Sequence, residues 1–139
     1  MPTVFQAVFY SIVCGVSIGA TVALADTPQQ ILDNYTLQAK QESPDFQGFD
    51  SERGKLFFQS THGNDWSCAT CHTQNPMSEG KHAKTSKMIK PLAPAANAER
   101  FTDPEKVEKW FKRNCNDVLE RACNTVEKGD VLTYLLQMK

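Results

Sequence analysis

The sequence predicts an all-α domain. Three observations point there: helix-start signals at three places, apolar residues at helical spacing behind each, and no convincing period-2 stretch that would make a strand. The first helix opens at Thr27-Pro28, a hydroxyl N-cap followed by proline at the first helical position, where its missing N–H removes no helical bond. Ile31, Leu32 and Tyr35 follow on one face. The segment from Gln41 to Phe49 is polar and holds Pro44 and Gly48, which makes it a connection. A second helix is expected from about Ser51 to Ser60, with Leu56, Phe57 and Phe58 on its apolar side. Gly54 inside it lowers helix propensity by about 1 kcal/mol relative to alanine; it is either tolerated or the mark of a close helix approach.

The third helix has the clearest start. Thr102-Asp103-Pro104-Glu105 reads as a capping box with proline near the first turn. Val107, Trp110, Phe111, Asn114 and Cys115 then fall on one helical stripe. The last helix opens with Asn124 and Glu127 as N-cap and N3 and continues through Val131, Tyr134, Leu135 and Met138. The run Val131 to Leu136 suits a strand by composition, but the cap and the spacing favour helix. Between His72 and Arg100 the sequence has little periodicity and is broken by Pro76, Gly80, Pro91 and Pro94. So long a loop is unusual in a compact domain unless it wraps something large.

At 139 residues the chain is long enough for one domain. Residues 1–25 carry no charged side chain, Val8 to Ala25 is mostly apolar, and the stretch ends in Ala23-Leu24-Ala25 before the polar Asp26. That pattern is a secretory signal peptide over residues 1–25, leaving a mature domain of residues 26–139 and a periplasmic location. An uncleaved membrane anchor is the alternative, because the leader has no Lys or Arg and about 18 apolar residues could span a bilayer. Cys14 follows the bulky Val13, which does not suit a lipid-attachment site. A net charge of −1 argues against nucleic acid as a partner. Export would permit a disulfide.

Trp66-Ser67-Cys68-Ala69-Thr70-Cys71-His72 contains C-x-x-C-H. Two cysteines three apart on a helical turn share one edge, where they can form thioethers with the two vinyl groups of a haem. The adjacent His72 then comes round to the iron as its proximal ligand. A zinc module would need two further ligands, and Cys115 and Cys123, eight apart, match a second knuckle poorly. A thiol redox pair belongs after a strand in a βαβ unit, and no such strand is visible.

The sixth position of the iron has several candidates. An ordinary electron carrier would use a methionine sulfur. Met88 is the best placed, since Met77 follows His72 too closely and Met138 lies at the end of the last helix. His62 and His82 could make a bis-histidine haem, although both lie in polar segments. Asn114 sits on the apolar stripe with Trp110 and Phe111, where a buried amide must find a partner. Either that partner is the iron, or Asn114 caps the C-terminal end of its helix. Lys81, Lys84, Lys87 and Lys90 occur without an intervening acid; they form either a docking patch for an acidic redox partner or a solvated loop face.

From about Arg53 to the C-terminus the chain resembles the sphaeroides-type haem proteins. The matching pieces are Arg53-Gly54-Lys55-x-Phe57-Phe58, Ser67-Cys68-x-x-Cys71-His72, Pro91-Leu92-Ala93-Pro94 and Arg100-Phe101-Thr102-Asp103. They continue through Val107-Glu108-Lys109-Trp110, Arg113-Asn114-Cys115-Asn116 and Cys123. The resemblance implies a class I cytochrome c fold with helices wrapped around one covalent haem c, and a function in binding small diatomics such as oxygen or nitric oxide. It implies that Asn114 is the displaceable distal ligand and that Cys115 is bridged to Cys123. It also implies a c-type cytochrome, of dihaem type, as electron donor. Turnover of the bound ligand as an enzyme is a separate reading, for which no residue identifies a proton donor.

Overall fold

The structure, a computed structural model, describes Met1 and residues 26–139; the expected signal peptide otherwise lies outside the described residues. Among the described residues five helices carry the fold: α1 (Pro28–Glu42), α2 (Ser51–Gln59), α3 (Cys68–His72), α4 (Pro104–Leu119) and α5 (Thr125–Gln137). Each begins where its sequence supplies an oxygen for the orphan N–H groups of the first turn. Thr27 with Gln30, Ser67 with Thr70 and Asn124 with Glu127 make reciprocal capping boxes, while Asp50 and Asp103 cap α2 and α4 through their carboxylates. The box expected at Thr102 is therefore a simple Asp103 cap, its carboxylate accepting from Lys106 N at 3.1 Å. Val131 to Leu136 is helical.

One element departs from the all-helical expectation. Strands β1 (Gly80–Lys81) and β2 (Met88–Ile89) pair antiparallel, Gly80 opposite Ile89 and Lys81 opposite Met88. Two residues are too few to leave an alternating pattern in a sequence. The rest of the segment from Thr73 to Asp103 is held by its own hydrogen bonds. The carbonyl of Pro76 accepts from Leu92 N at 2.9 Å and Ala93 N at 3.0 Å, and Arg100 donates to the carbonyls of Pro91 and Lys90 at 2.9 and 2.7 Å.

The core has two adjoining clusters, and α5 lies between them. Val131, Tyr134 and Leu135 pack with Phe58 and Ala69; Leu132 packs with Ile31, Tyr35 and Val107; Phe101 and Phe111 touch both groups. Leu56, expected on the apolar side of α2, is instead 65% exposed. Gly54 resolves as a close approach: a Cβ there would overlap the backbone carbonyl of Asp130 on α5. Beside that crossing Arg53 pairs with the buried carboxylate of Asp130, which also accepts from Asp50 N at 2.8 Å. A buried charge so neutralised avoids the penalty an unpaired one would carry.

Tyr35 on α1 donates to Glu108 on α4 at 2.5 Å, and Lys128 on α5 reaches the same carboxylate at 2.8 Å. Burial would raise the Glu108 carboxyl, but the bonds from Lys128 and Tyr35 and the Lys128 charge outweigh it and hold it below its usual range.

Candidate haem site

The Cys68–His72 turn is one and a half turns of helix held at its start by Ser67. Ser67 Oγ accepts from Thr70 N at 3.1 Å, and Thr70 Oγ1 accepts from Ser67 N at 2.9 Å. This locks the spacing that puts both cysteines on one edge. Neither Cys68 nor Cys71 is paired; the disulfide among the described residues joins Cys115 and Cys123, with Cα atoms 5.5 Å apart. Cys68 packs against the Phe58 cluster, and its burial pushes the thiol up to about 12.

His72 completes the turn. Burial, then the positive charges of Arg100 and His82, push its pKa down to about 4. The imidazole is neutral at ordinary pH, the form with a lone pair for a metal. Phe58 lies alongside, ring centroids 6.4 Å apart.

The hairpin sits on this turn. A Cβ on Gly80 would overlap the Cys71 carbonyl and press on His72 Cα, and Ala83 N lies 3.4 Å from Cys71 Sγ. On the other flank, the loop from Thr61 to Trp66 leads into the motif. His62 N donates to the Trp66 carbonyl and Asp65 N to the His62 carbonyl, at 2.9 and 3.1 Å, closing the loop on itself. Asn64 Oδ1 accepts from Trp66 N at 3.3 Å, and Asn64 Nδ2 donates to the carbonyl of Asp117 near the end of α4. Lys84 from the hairpin reaches over the Trp66 ring, 4.9 Å from its centroid, and 3.9 Å from the Asp117 carboxylate.

On α4 the buried face is Val107, Cys115 and Val118, with Phe111 half-buried. Trp110 is 50% exposed and Asn114 is exposed on the flank of that face. The expected interior position of Asn114 is thus corrected: at 100° per residue the buried stripe is centred nearer Phe111 and Val118. The capping role is also corrected. The helix runs on to Leu119 and ends at Glu120 in the left-handed region, five residues and more beyond Asn114. The Asn114 carboxamide has no hydrogen bond to any described residue.

Each of the two histidine candidates has one ring nitrogen engaged by the protein. His62 Nε2 lies 2.9 Å from the Phe57 carbonyl, and His82 Nδ1 accepts from Lys84 N and Thr85 N at 3.3 and 3.2 Å. Met88 is 65% exposed on the hairpin that lies against the backbone of Cys71 and His72. Met138 packs against the Phe58 cluster. The zinc reading does not fit, since no three His, Cys, Asp or Glu side chains converge among the described residues and Cys115 and Cys123 are bridged. Two unpaired cysteines on one edge, a neutral imidazole beside them and the apolar wall of Phe57, Phe58, Leu92 and Phe101 do fit a haem.

Comparison with known proteins decides the family. A domain of unknown function (DUF1924) matches residues 44–135. Cytochrome c'' of Methylophilus methylotrophus is 40% identical over 120 residues, covering 82% of this chain and 83% of its own. The cytochrome c-type protein SHP of Cereibacter sphaeroides is 38% identical over 130 residues, covering 91% and 95%. The chain belongs to this c-type cytochrome family. The crystal structure of oxidised cytochrome c'' superposes with a TM-score of 0.73 at 38% identity, covering 81% of this chain and 94% of that one. Oxidised SHP, described as an oxygen-binding cytochrome c, gives 0.69 at 41%, covering 80% and 96%. A solution structure of cytochrome c'', described in terms of haem-ligand detachment, gives 0.71 at 38%, covering 80% and 93%. The all-α cytochrome c fold is therefore the fold of this cytochrome, and its cofactor is a haem.

Sequence reasoning named Gly80 only as a loop breaker and Arg100 only within a matching run, and it gave Asn64 no role in this cytochrome. Arg100 and Gly80 act through loop backbone, which has no periodicity to read. Asn64 looked like one polar residue among several in Thr61-His62-Gly63-Asn64-Asp65.

Proposed function

We propose that this cytochrome is an exported single-haem protein that transfers electrons and binds small diatomics such as oxygen or nitric oxide. Cys68 and Cys71 hold the haem c through thioethers, His72 ligates the iron, and Asn114 is its displaceable partner on the opposite side. The observation that carries this reading is the Asn114 carboxamide. It stands on the flank of α4 without a protein partner, in the Arg113-Asn114-Cys115-Asn116 run that the resemblance identifies. When bound, the haem supplies a redox-active iron with a coordination position for which an external ligand can compete. The relatives described as oxygen-binding and as detaching a haem ligand support the same behaviour here.

The residues divide the work. The neutral His72 offers a lone pair, and Ser67 and Thr70 fix the turn that aims it. Asn114 is a weaker ligand than a thioether sulfur. Its side chain has two torsions, and once turned away it can offer an N–H to a small molecule entering on that side. Met88 is exposed on the hairpin whose Gly80 lies against Cys71 and His72, and it falls outside the runs that carry the resemblance. The leader over residues 1–25 supports a periplasmic location, and a c-type cytochrome of dihaem type is the expected electron donor.

Spectra of both oxidation states, with and without carbon monoxide, test the reading. Asn114→Ala keeps the haem and raises the apparent affinity for an external ligand ~10-fold, the factor for a position held by the protein in nine molecules of ten. Met88→Ala changes neither. A sulfur-to-iron charge-transfer band in the oxidised protein, abolished by Met88→Ala, overturns the proposal.

A further inference from the structure

We propose that Asn64 is a positioning residue for Asn114. It fastens the end of α4 to the loop that leads into the Cys68–His72 turn, and so sets how firmly Asn114 holds its place. This rests on the reading of Asn114 as distal ligand and concerns a residue outside the C-x-x-C-H motif and the Arg113–Asn116 run.

The last C=O groups of a helix have no intrahelical partner. In α4 the C-cap Glu120 N satisfies Asn116 O, and the chain then turns away through the left-handed conformation of Glu120. The next carbonyl, Asp117 O, is taken by Asn64 Nδ2 from another segment. Asp117 is three residues after Asn114, so the bond holds the turn that carries the ligand.

The other end of the bond is equally fixed. Asn64 lies in the loop closed by the His62–Trp66 backbone pair, and its Oδ1 accepts from Trp66 N. Trp66 directly precedes Ser67, the N-cap of the turn that bears His72. A single side chain therefore spans from the scaffold of the His72 side to the helix that carries the opposite ligand. Lys84, between the Trp66 ring and the Asp117 carboxylate, closes the same junction from outside. Fixing first-sphere geometry through such outer contacts is how ligand strength is commonly tuned.

Asn64→Asp isolates the bond. The carboxylate keeps an oxygen for Trp66 N but has no N–H for Asp117 O. The holoprotein variant is compared with the parent, Asn114→Ala and the double variant. The readouts are the oxidised spectrum and the rate of imidazole binding by stopped flow, with far-UV circular dichroism confirming the fold. Asn64→Asp is expected to speed imidazole entry about fivefold, the factor of one hydrogen bond. Asn64→Ala should do the same, and the double variant should be no faster than Asn114→Ala. A parental rate in Asn64→Asp, or a further increase on top of Asn114→Ala, overturns the proposal. An effective Asn114→Ala with a silent Asn64→Asp sinks the positioning role alone; a silent Asn114→Ala sinks the distal-ligand reading beneath it.

Discussion

Replacing Gly80 by alanine tests how closely the hairpin is seated on the haem-binding turn. Gly48 is the described glycine with positive φ, so Gly80 has a backbone that alanine adopts without strain. The substitution therefore measures steric contact alone. The atoms that a new methyl would meet are Cys71 O, Cys71 C and His72 Cα, all backbone, so no flexible side chain can move aside. Overpacking of this kind costs about 1–3 kcal/mol, and a rigid neighbour places it in the upper part, about 2–3 kcal/mol. For a domain of this size about 4 °C of melting temperature corresponds to each kcal/mol, so the melt should fall by about 8–12 °C. Thermal unfolding of the holoprotein, followed by far-UV circular dichroism and by the haem absorption band, reads the shift. The hairpin must also retreat from Cys71, so Ala83 N should lose its contact with Cys71 Sγ and exchange its proton faster. A melt within 2 °C of the parent, with unchanged haem bands, refutes the close seating.

Reducing the Cys115–Cys123 bridge, eight residues apart, removes about 2.5 kcal/mol in the chain-entropy account; denaturant melts with and without reductant check it, and coincident midpoints would contradict it. Glu108 has a lowered pKa, so the stability it contributes is complete above its ordinary value of 4.5 and is lost as pH falls through the lowered one. Glu108→Gln should flatten the acid limb of stability against pH, and an unchanged slope would exclude the network with Tyr35 and Lys128 as its source. Between Gly80 and Arg113 nine Lys or Arg stand against four Asp or Glu, in a chain of net charge −1. Lys81→Glu with Lys87→Glu should slow oxidation of the reduced protein by hexacyanoferrate(III) several-fold at low salt and weaken its salt dependence. Equal rates would assign the lysines to solvation alone.

Helix starts were legible in the sequence because each rests on a local bond between a capping oxygen and the third N–H beyond it, as at Thr27 and Asn124. The haem turn was legible because its chemistry needs three residues within five positions. The outward turn of Leu56 and Trp110 was not, because the angle of a buried face is settled by what packs on it rather than by the helix itself. Gly54 left two readings open until the carbonyl of Asp130 appeared beside it, a neighbour 76 residues away. Asn114 shows the limit on both sides: its residue type was informative, while its exposure and the true end of α4 could only be observed.

The position of α5 has a consequence for how the molecule is made. It is the last helix in the chain, yet it supplies Val131, Leu132, Tyr134 and Leu135, so both clusters stay incomplete until it arrives. A growing chain emerges from its N-terminal end, and a domain folds as a unit. While the final residues are still missing, the strand of peptide bearing Cys68 and Cys71 has nothing to close over it. Cys68, packed on the cluster that α5 completes, is covered only once this helix is in place.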